Sequence, residues 1–123
     1  MRVILVEDDD VAAQLTEMYF SKLGFSDDVD RTYRIKPFEH LINTNKYDVA
    51  IVDYHLQVFD APDFIKLIKG SKINSRIPII VISHELSLDE ERQVKAFGVH
   101  YIRRPDNYEI FVELIMKHLR MMN

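Results

Sequence analysis

An α/β fold built on a parallel sheet is predicted by three features of the sequence. Short apolar runs rich in Val and Ile alternate with segments whose apolar residues recur every three or four positions. A strand covered on both faces reads as a continuous apolar run and its crossover helix as an amphipathic one, so the alternation marks βαβ units. The alternation repeats five times, and several runs end in a carboxylate, a hydroxyl or a basic residue. Strand ends of that kind border the crevice of an open parallel sheet.

Each element follows from its residues. Arg2–Val6 is the first strand, followed by a helix with Val11, Leu15, Met18 and Tyr19 on one face that closes near Gly24. Asp28–Tyr33 is a polar strand suited to an edge, and Pro37 starts a short helix using Phe38, Leu41 and Ile42. Val49–Asp53 is a central strand, and Pro62 opens a helix with Phe64, Ile65 and Ile68 inward that ends at Gly70. Pro78–Ser83 is a second central strand. Ser87-Leu88-Asp89-Glu90 is a capping box for a polar helix that runs to Gly98, and Val99–Arg103 is the fifth strand. Asp106 to Glu109 repeats the capping pattern before a last helix with Phe111, Leu114, Ile115 and Leu119 on one stripe.

Composition bounds the function. The 123 residues, 47% hydrophobic and 29% charged with three Gly and four Pro, suit one compact domain over 1–123 with no attached output domain. A chain of this length buries roughly two-thirds of its unfolded surface, enough for a core without disulfides or a structural metal. Cysteine is absent, which removes thiolate chemistry and Cys-based zinc sites and suits a reducing compartment. The longest apolar runs are too short to cross a bilayer, so no membrane role is expected. The early acidic run Glu7 to Asp10 is wrong for a secretory signal peptide, so a cytoplasmic location is expected.

The net charge of −4 argues against direct nucleic-acid binding. Residues 1–91 hold ten Lys/Arg against seventeen Asp/Glu, whereas residues 92–123 hold six against three. The basic last quarter, with Arg92, Lys95 and Arg103, is a candidate docking face for an acidic partner.

The strand ends carry the chemistry. The first strand ends in Glu7-Asp8, the third in Asp53, the fourth in Ser83 and the fifth in Arg104-Pro105. Carboxylates at neighbouring strand ends repel unless a cation lies among them, and hard oxygen donors at that density suit Mg²⁺. A carboxylate beside such a metal can act as a nucleophile toward phosphorus.

Four motifs, in order and each at a strand end, resemble the receiver domain of two-component response regulators over essentially the whole chain. They are Ile4-Leu5-Val6-Glu7-Asp8-Asp9, Ile51-Val52-Asp53-Tyr54-His55-Leu56, Pro78-Ile79-Ile80-Val81-Ile82-Ser83 and Gly98-Val99-His100-Tyr101-Ile102-Arg103-Arg104-Pro105. The resemblance implies a flavodoxin-like, doubly wound (βα)5 sandwich with strand order 2-1-3-4-5. It implies that Asp53 accepts a phosphoryl group from a histidine kinase or His-phosphotransfer protein, with at most slow self-catalysed phosphotransfer and dephosphorylation. Mg²⁺, or Mn²⁺ in its place, would be held by Asp8, Asp53 and the backbone carbonyl of His55, with Glu7 acting through water. Ser83 matches the switch hydroxyl, Tyr101 the aromatic that follows it, and Arg104 the phosphate-contacting basic residue. The output would be a changed surface around the fourth helix, fifth strand and fifth helix, docking a downstream protein or a second copy of the chain.

Several positions depart from the family's pattern. Arg104 stands where the family has Lys, and the segment from Gly98 to Arg104 is one residue short, which turns the side chain from the pocket or brings in Arg103. Gln57 to Ala61 replaces a Pro-Gly turn, and His84 replaces a small residue on the path of the phosphodonor. His55 and Glu85 take the positions that tune attack of water on the acyl phosphate. These departures motivate a competing reading, a pseudo-receiver that works by phosphorylation-independent protein contacts. His55 and His84 beside the carboxylates also open a transition-metal reading. A flavodoxin-like enzyme is disfavoured because no Gly-rich phosphate loop or Walker pattern is present. A cis Arg104–Pro105 bond is expected from the resemblance.

Overall fold

The structure, a computed structural model, describes residues 1–122. Along the chain run β1 (Arg2–Val6), α1 (Asp10–Lys22), β2 (Asp28–Thr32), α2 (Ile35–Thr44), β3 (Val49–Asp53), α3 (Ala61–Lys69), β4 (Ile79–Ser83), α4 (Leu88–Ala96), β5 (His100–Arg103) and α5 (Tyr108–Met122). All strand pairs are parallel and the sheet order is β2-β1-β3-β4-β5. The polar strand Asp28–Thr32 lies at an edge, as its composition predicts.

Strand alternation splits the core into two layers. Val3, Leu5, Val49, Ile51, Ile80, Ile82 and Ile102 face α1 and α5, where they meet Ala13, Phe20, Phe111, Val112 and Ile115. Ile4, Val6, Ala50, Val52, Ile79 and Val81 face the other way, onto Phe38 and Ile42 of α2, Phe64, Ile65 and Ile68 of α3, and Val94 of α4. One buried polar clamp ties the lower loops of this second layer. Asn74, fully buried, accepts from the Tyr47 N–H at 2.8 Å and donates to the carbonyls of Ile42 at 2.6 Å and Asn45 at 2.7 Å.

Four expectations are corrected. In α1 the inward face is Ala12, Ala13, Thr16 and Phe20, while Val11 is 65% and Met18 50% exposed. Two adjacent alanines let the helix lie close to the sheet, so Val11 and Met18 turn outward and Leu15 is half-buried, while Tyr19 of the predicted face does pack against the core. Second, α2 begins at Ile35, so Pro37 sits within its first turn, where no intrahelical N–H is required. Third, the cap of α5 is Asn107, whose Oδ1 accepts from the Ile110 N–H at 3.0 Å; the turn after Pro105 delays the helix start by one residue relative to a cap at Asp106. Fourth, the Arg104–Pro105 bond is trans. The box at Ser87 and Glu90 forms as predicted, with reciprocal bonds of 3.1 and 2.9 Å.

Candidate functional site

The acidic cluster is assembled by strand parity. Glu7 continues the alternation of Val3 and Leu5, and Asp53 that of Val49 and Ile51, so both carboxylates point to the α1/α5 side of the sheet at its carboxyl edge. Asp8 follows Glu7 in the β1–α1 loop. One oxygen from each of Glu7, Asp8 and Asp53 lies within 4.8 Å of the others. Glu7 is only 1% exposed.

Neighbouring groups fix this arrangement. Asp9 caps α1 by accepting from the Ala12 N–H at 2.9 Å, which separates it from the cluster. The Gln57 N–H donates to Asp8 Oδ2 at 2.9 Å, so the loop that replaces the expected Pro-Gly turn folds back onto the site. Arg31 reaches over from β2, its Nε donating to the Glu7 carbonyl at 2.8 Å and its Nη1 pairing with Asp10 at 2.7 Å.

Arg104 lies in the pocket. Ile102 faces the α1/α5 layer, and two residues on Arg104 faces the same way, so the short segment does not turn it out. Its Nη2 donates to Glu7 Oε1 at 3.1 Å, and its side chain is 8% exposed. Arg103 points to the opposite side, where its Nε donates to the His84 carbonyl at 3.1 Å; it does not replace Arg104.

The electrostatics follow. Burial, the Glu7 charge and a hydrogen bond with Glu7 push the Asp53 carboxyl up to about 8, Asp8 adds to the rise, and Arg104 opposes it. A compact donor set made wholly of carboxylate oxygen, three acids against the single guanidinium of Arg104, fits a hard divalent cation such as Mg²⁺.

The remaining predicted residues surround this centre. Ser83 is buried at the end of β4, where its hydroxyl donates to the Glu85 carbonyl at 3.0 Å and accepts from the Glu85 N–H at 3.3 Å. Tyr101 is half-buried on the α4 side, around a small cleft with Glu85, Leu86, Glu91 and Arg103. The imidazole of His55 turns to α4, its Nε2 3.5 Å from Glu90 Oε2, and the His84 side chain is exposed. Neither ring belongs to the carboxylate cluster, so the described residues do not assemble the transition-metal set. In the basic last quarter, Arg92 pairs with Asp89 at 3.7 Å and Lys95 with Glu91 at 3.4 Å, which leaves less free charge on α4 than the sequence count implies.

Two partners of Arg104 were not singled out from the sequence for this role. The rings of Tyr108 and Phe111, one helical turn apart on α5, lie 5.4 and 5.1 Å from its guanidinium carbon. Their i, i+3 spacing after Pro105 is the signal that would have found them.

Comparisons with known proteins bear on the family and the fold. The family model described as the response regulator receiver domain matches residues 3–114. The cell cycle transcriptional regulator CtrA of Caulobacter vibrioides is 28% identical over 109 residues, 85% of this chain. The chain spans 44% of that relative's length. Among solved structures, the chemotaxis protein CheY4 of Vibrio cholerae superposes with a TM-score of 0.81 at 20% identity, covering 94% of this chain and 96% of that one. The receiver domain of sensor histidine kinase PA1611 from Pseudomonas aeruginosa, solved with a magnesium ion coordinated in its active site cleft, gives 0.76 at 21% identity and 94% of both chains.

Proposed function

The chain belongs to the response regulator receiver family, and on that premise we propose that it accepts a phosphoryl group on Asp53 and signals through a changed protein-docking surface. The observation that carries this reading is the meeting of Glu7, Asp8, Asp53 and Arg104 at the carboxyl ends of three strands. Asp8, Asp53 and the His55 backbone carbonyl would hold Mg²⁺, or Mn²⁺, with Glu7 acting through water. The metal would supply charge neutralisation and orientation for phosphoryl transfer.

Asp53 contributes the nucleophilic oxygen. An O–P bond forms as the P–N bond of a phosphohistidine breaks, and the imidazole of the histidine kinase or phosphotransfer protein leaves. Arg104 supplies positive charge to the phosphoryl oxygens. Ser83 then exchanges its bond with Glu85 for one to the phosphoryl group, which pulls on the β4–α4 loop and draws Tyr101 inward. His84 and Glu85, which line a cleft with Arg104, would tune access of donor and water together with His55. The changed face formed by α4, β5 and α5 would dock a target protein or a second copy of the chain, in the cytoplasm.

The Arg104–Glu7 ion pair favours a second reading, because an internal cation already answers part of the acidic charge. That reading is a pseudo-receiver acting by protein contact alone. Intact mass after incubation with Mg²⁺ and a small phosphodonor separates the two. A mass increase of one phosphoryl group, lost in Asp53→Asn, supports transfer; an unchanged mass at high donor concentration supports the pseudo-receiver.

A further inference from the structure

We propose that Tyr108, with Phe111, is a positioning residue for Arg104: the two rings hold the guanidinium against Glu7, so that the pocket carries an internal counter-cation set from α5. The proposal rests on the receiver reading only where it concerns the bound metal and phosphoryl group.

Three observations converge on it. The Arg104 side chain is 92% buried, yet its only polar partner among the described residues is Glu7, and its Nε has none. A guanidinium in that position needs other stabilisation, and the faces of Tyr108 and Phe111 at 5.4 and 5.1 Å provide it, since a desolvated cation is drawn to an aromatic face. The backbone is held too, because the Arg104 N–H donates to the Ser83 carbonyl at 2.8 Å. With its backbone tied to β4, the side chain moves mainly at its far end, and that end is gripped between Glu7 and the two rings.

The grip has opposite consequences for the two ligands of the pocket. A divalent cation must approach a cluster in which Glu7 is already paired with a guanidinium, so the pinned Arg104 weakens its binding. A phosphoryl group meets a cation already in place, so the same pinning favours it. Tyr108 therefore acts on both through Arg104, and its own surroundings at the start of α5 change when the pocket fills.

The test uses the full chain as wild type, Tyr108→Phe, Tyr108→Leu, Phe111→Leu and Arg104→Gln. The first readout is the Arg104 Nε–H resonance in EDTA, which is expected to be resolved and slow to exchange in wild type and Tyr108→Phe and lost in Tyr108→Leu. The second is binding. Tyr108→Leu should tighten Mg²⁺ about fivefold and weaken beryllofluoride at saturating Mg²⁺ by a similar factor, while Tyr108→Phe restores wild-type values. In an Arg104→Gln background, Tyr108→Leu should change neither. Phe111→Leu, which keeps an apolar side chain in the core, should shift both affinities in the same directions and serves if Tyr108→Leu does not fold. Retention of the Arg104 resonance in both leucine variants, or an equal shift in the Arg104→Gln background, would overturn the proposal. Failure of wild type to take up Mg²⁺ would instead count against the receiver reading, and the resonance would still decide the role of Tyr108.

Discussion

Asp53, Glu7 and Arg104 form one electrostatic unit, and the behaviour of each depends on the other two. Burial and the adjacent Glu7 raise the Asp53 carboxyl to about 8. Folding therefore favours its protonated form. That contribution to stability is complete below the ordinary carboxylate value and is lost as pH rises through about 8. In EDTA, denaturation midpoints should fall across this window, and Asp53→Asn should flatten the fall and raise the midpoint at its alkaline end. Arg104 works in the other direction. Its removal leaves Glu7, 1% exposed, without its ion-pair partner. Urea denaturation of Arg104→Gln should show a loss of about 3 kcal/mol, with part of it recovered on adding Mg²⁺. Arg104→Lys should lose less, because the charge is kept.

At the scale of elements, local chemistry places the pieces and register aligns them. Ser87 and Glu90 close the first turn of α4, and bonding to Ser87 holds the Glu90 carboxyl below the usual range, with His55 adding to the effect. Ser87→Ala should cost about 1 kcal/mol by thermal or chemical denaturation. Asn74 is more demanding, since its loss strands the Tyr47 N–H and the Asn45 carbonyl and leaves the Ile42 carbonyl only its bond from the Ser71 hydroxyl. Asn74→Ala should cost about 3 kcal/mol, well above the cap, although both residues are polar. The capping box was legible because Ser-x-x-Glu is a local pattern, whereas the Asn74 clamp joins residues 27 to 32 positions apart that no local pattern connects. The α1 face was misread for a related reason. Val11, Leu15 and Met18 match helical period as well as Ala12, Ala13, Thr16 and Phe20 do, and proximity to the sheet selects the set with small residues.

Across the whole molecule, a five-stranded parallel sheet divides two apolar layers and gathers chemistry at one edge. The element order and the acidic strand ends could be read directly, because apolar runs and terminal carboxylates are properties of contiguous sequence. The orientation of Arg104 was read less well, since a length comparison suggested a turn outward where parity with Ile102 turns it in. The contact of Tyr108 and Phe111 with Arg104 depends on how α5 leaves β5, which the sequence does not display. Under the proposed function, one pocket centred on Asp53 is where a cation and a phosphoryl group would meet and from which Ser83 would carry the change outward. An amide NMR titration tests this most directly, adding Mg²⁺ and then beryllofluoride to wild type and to Asp53→Asn. The account predicts shifts at Glu7, Asp8 and Asp53 with the metal and at Ser83, Glu85 and Tyr101 with beryllofluoride, the second set absent in the variant. Spectra unchanged by either addition, or the same beryllofluoride shifts in Asp53→Asn, would contradict it.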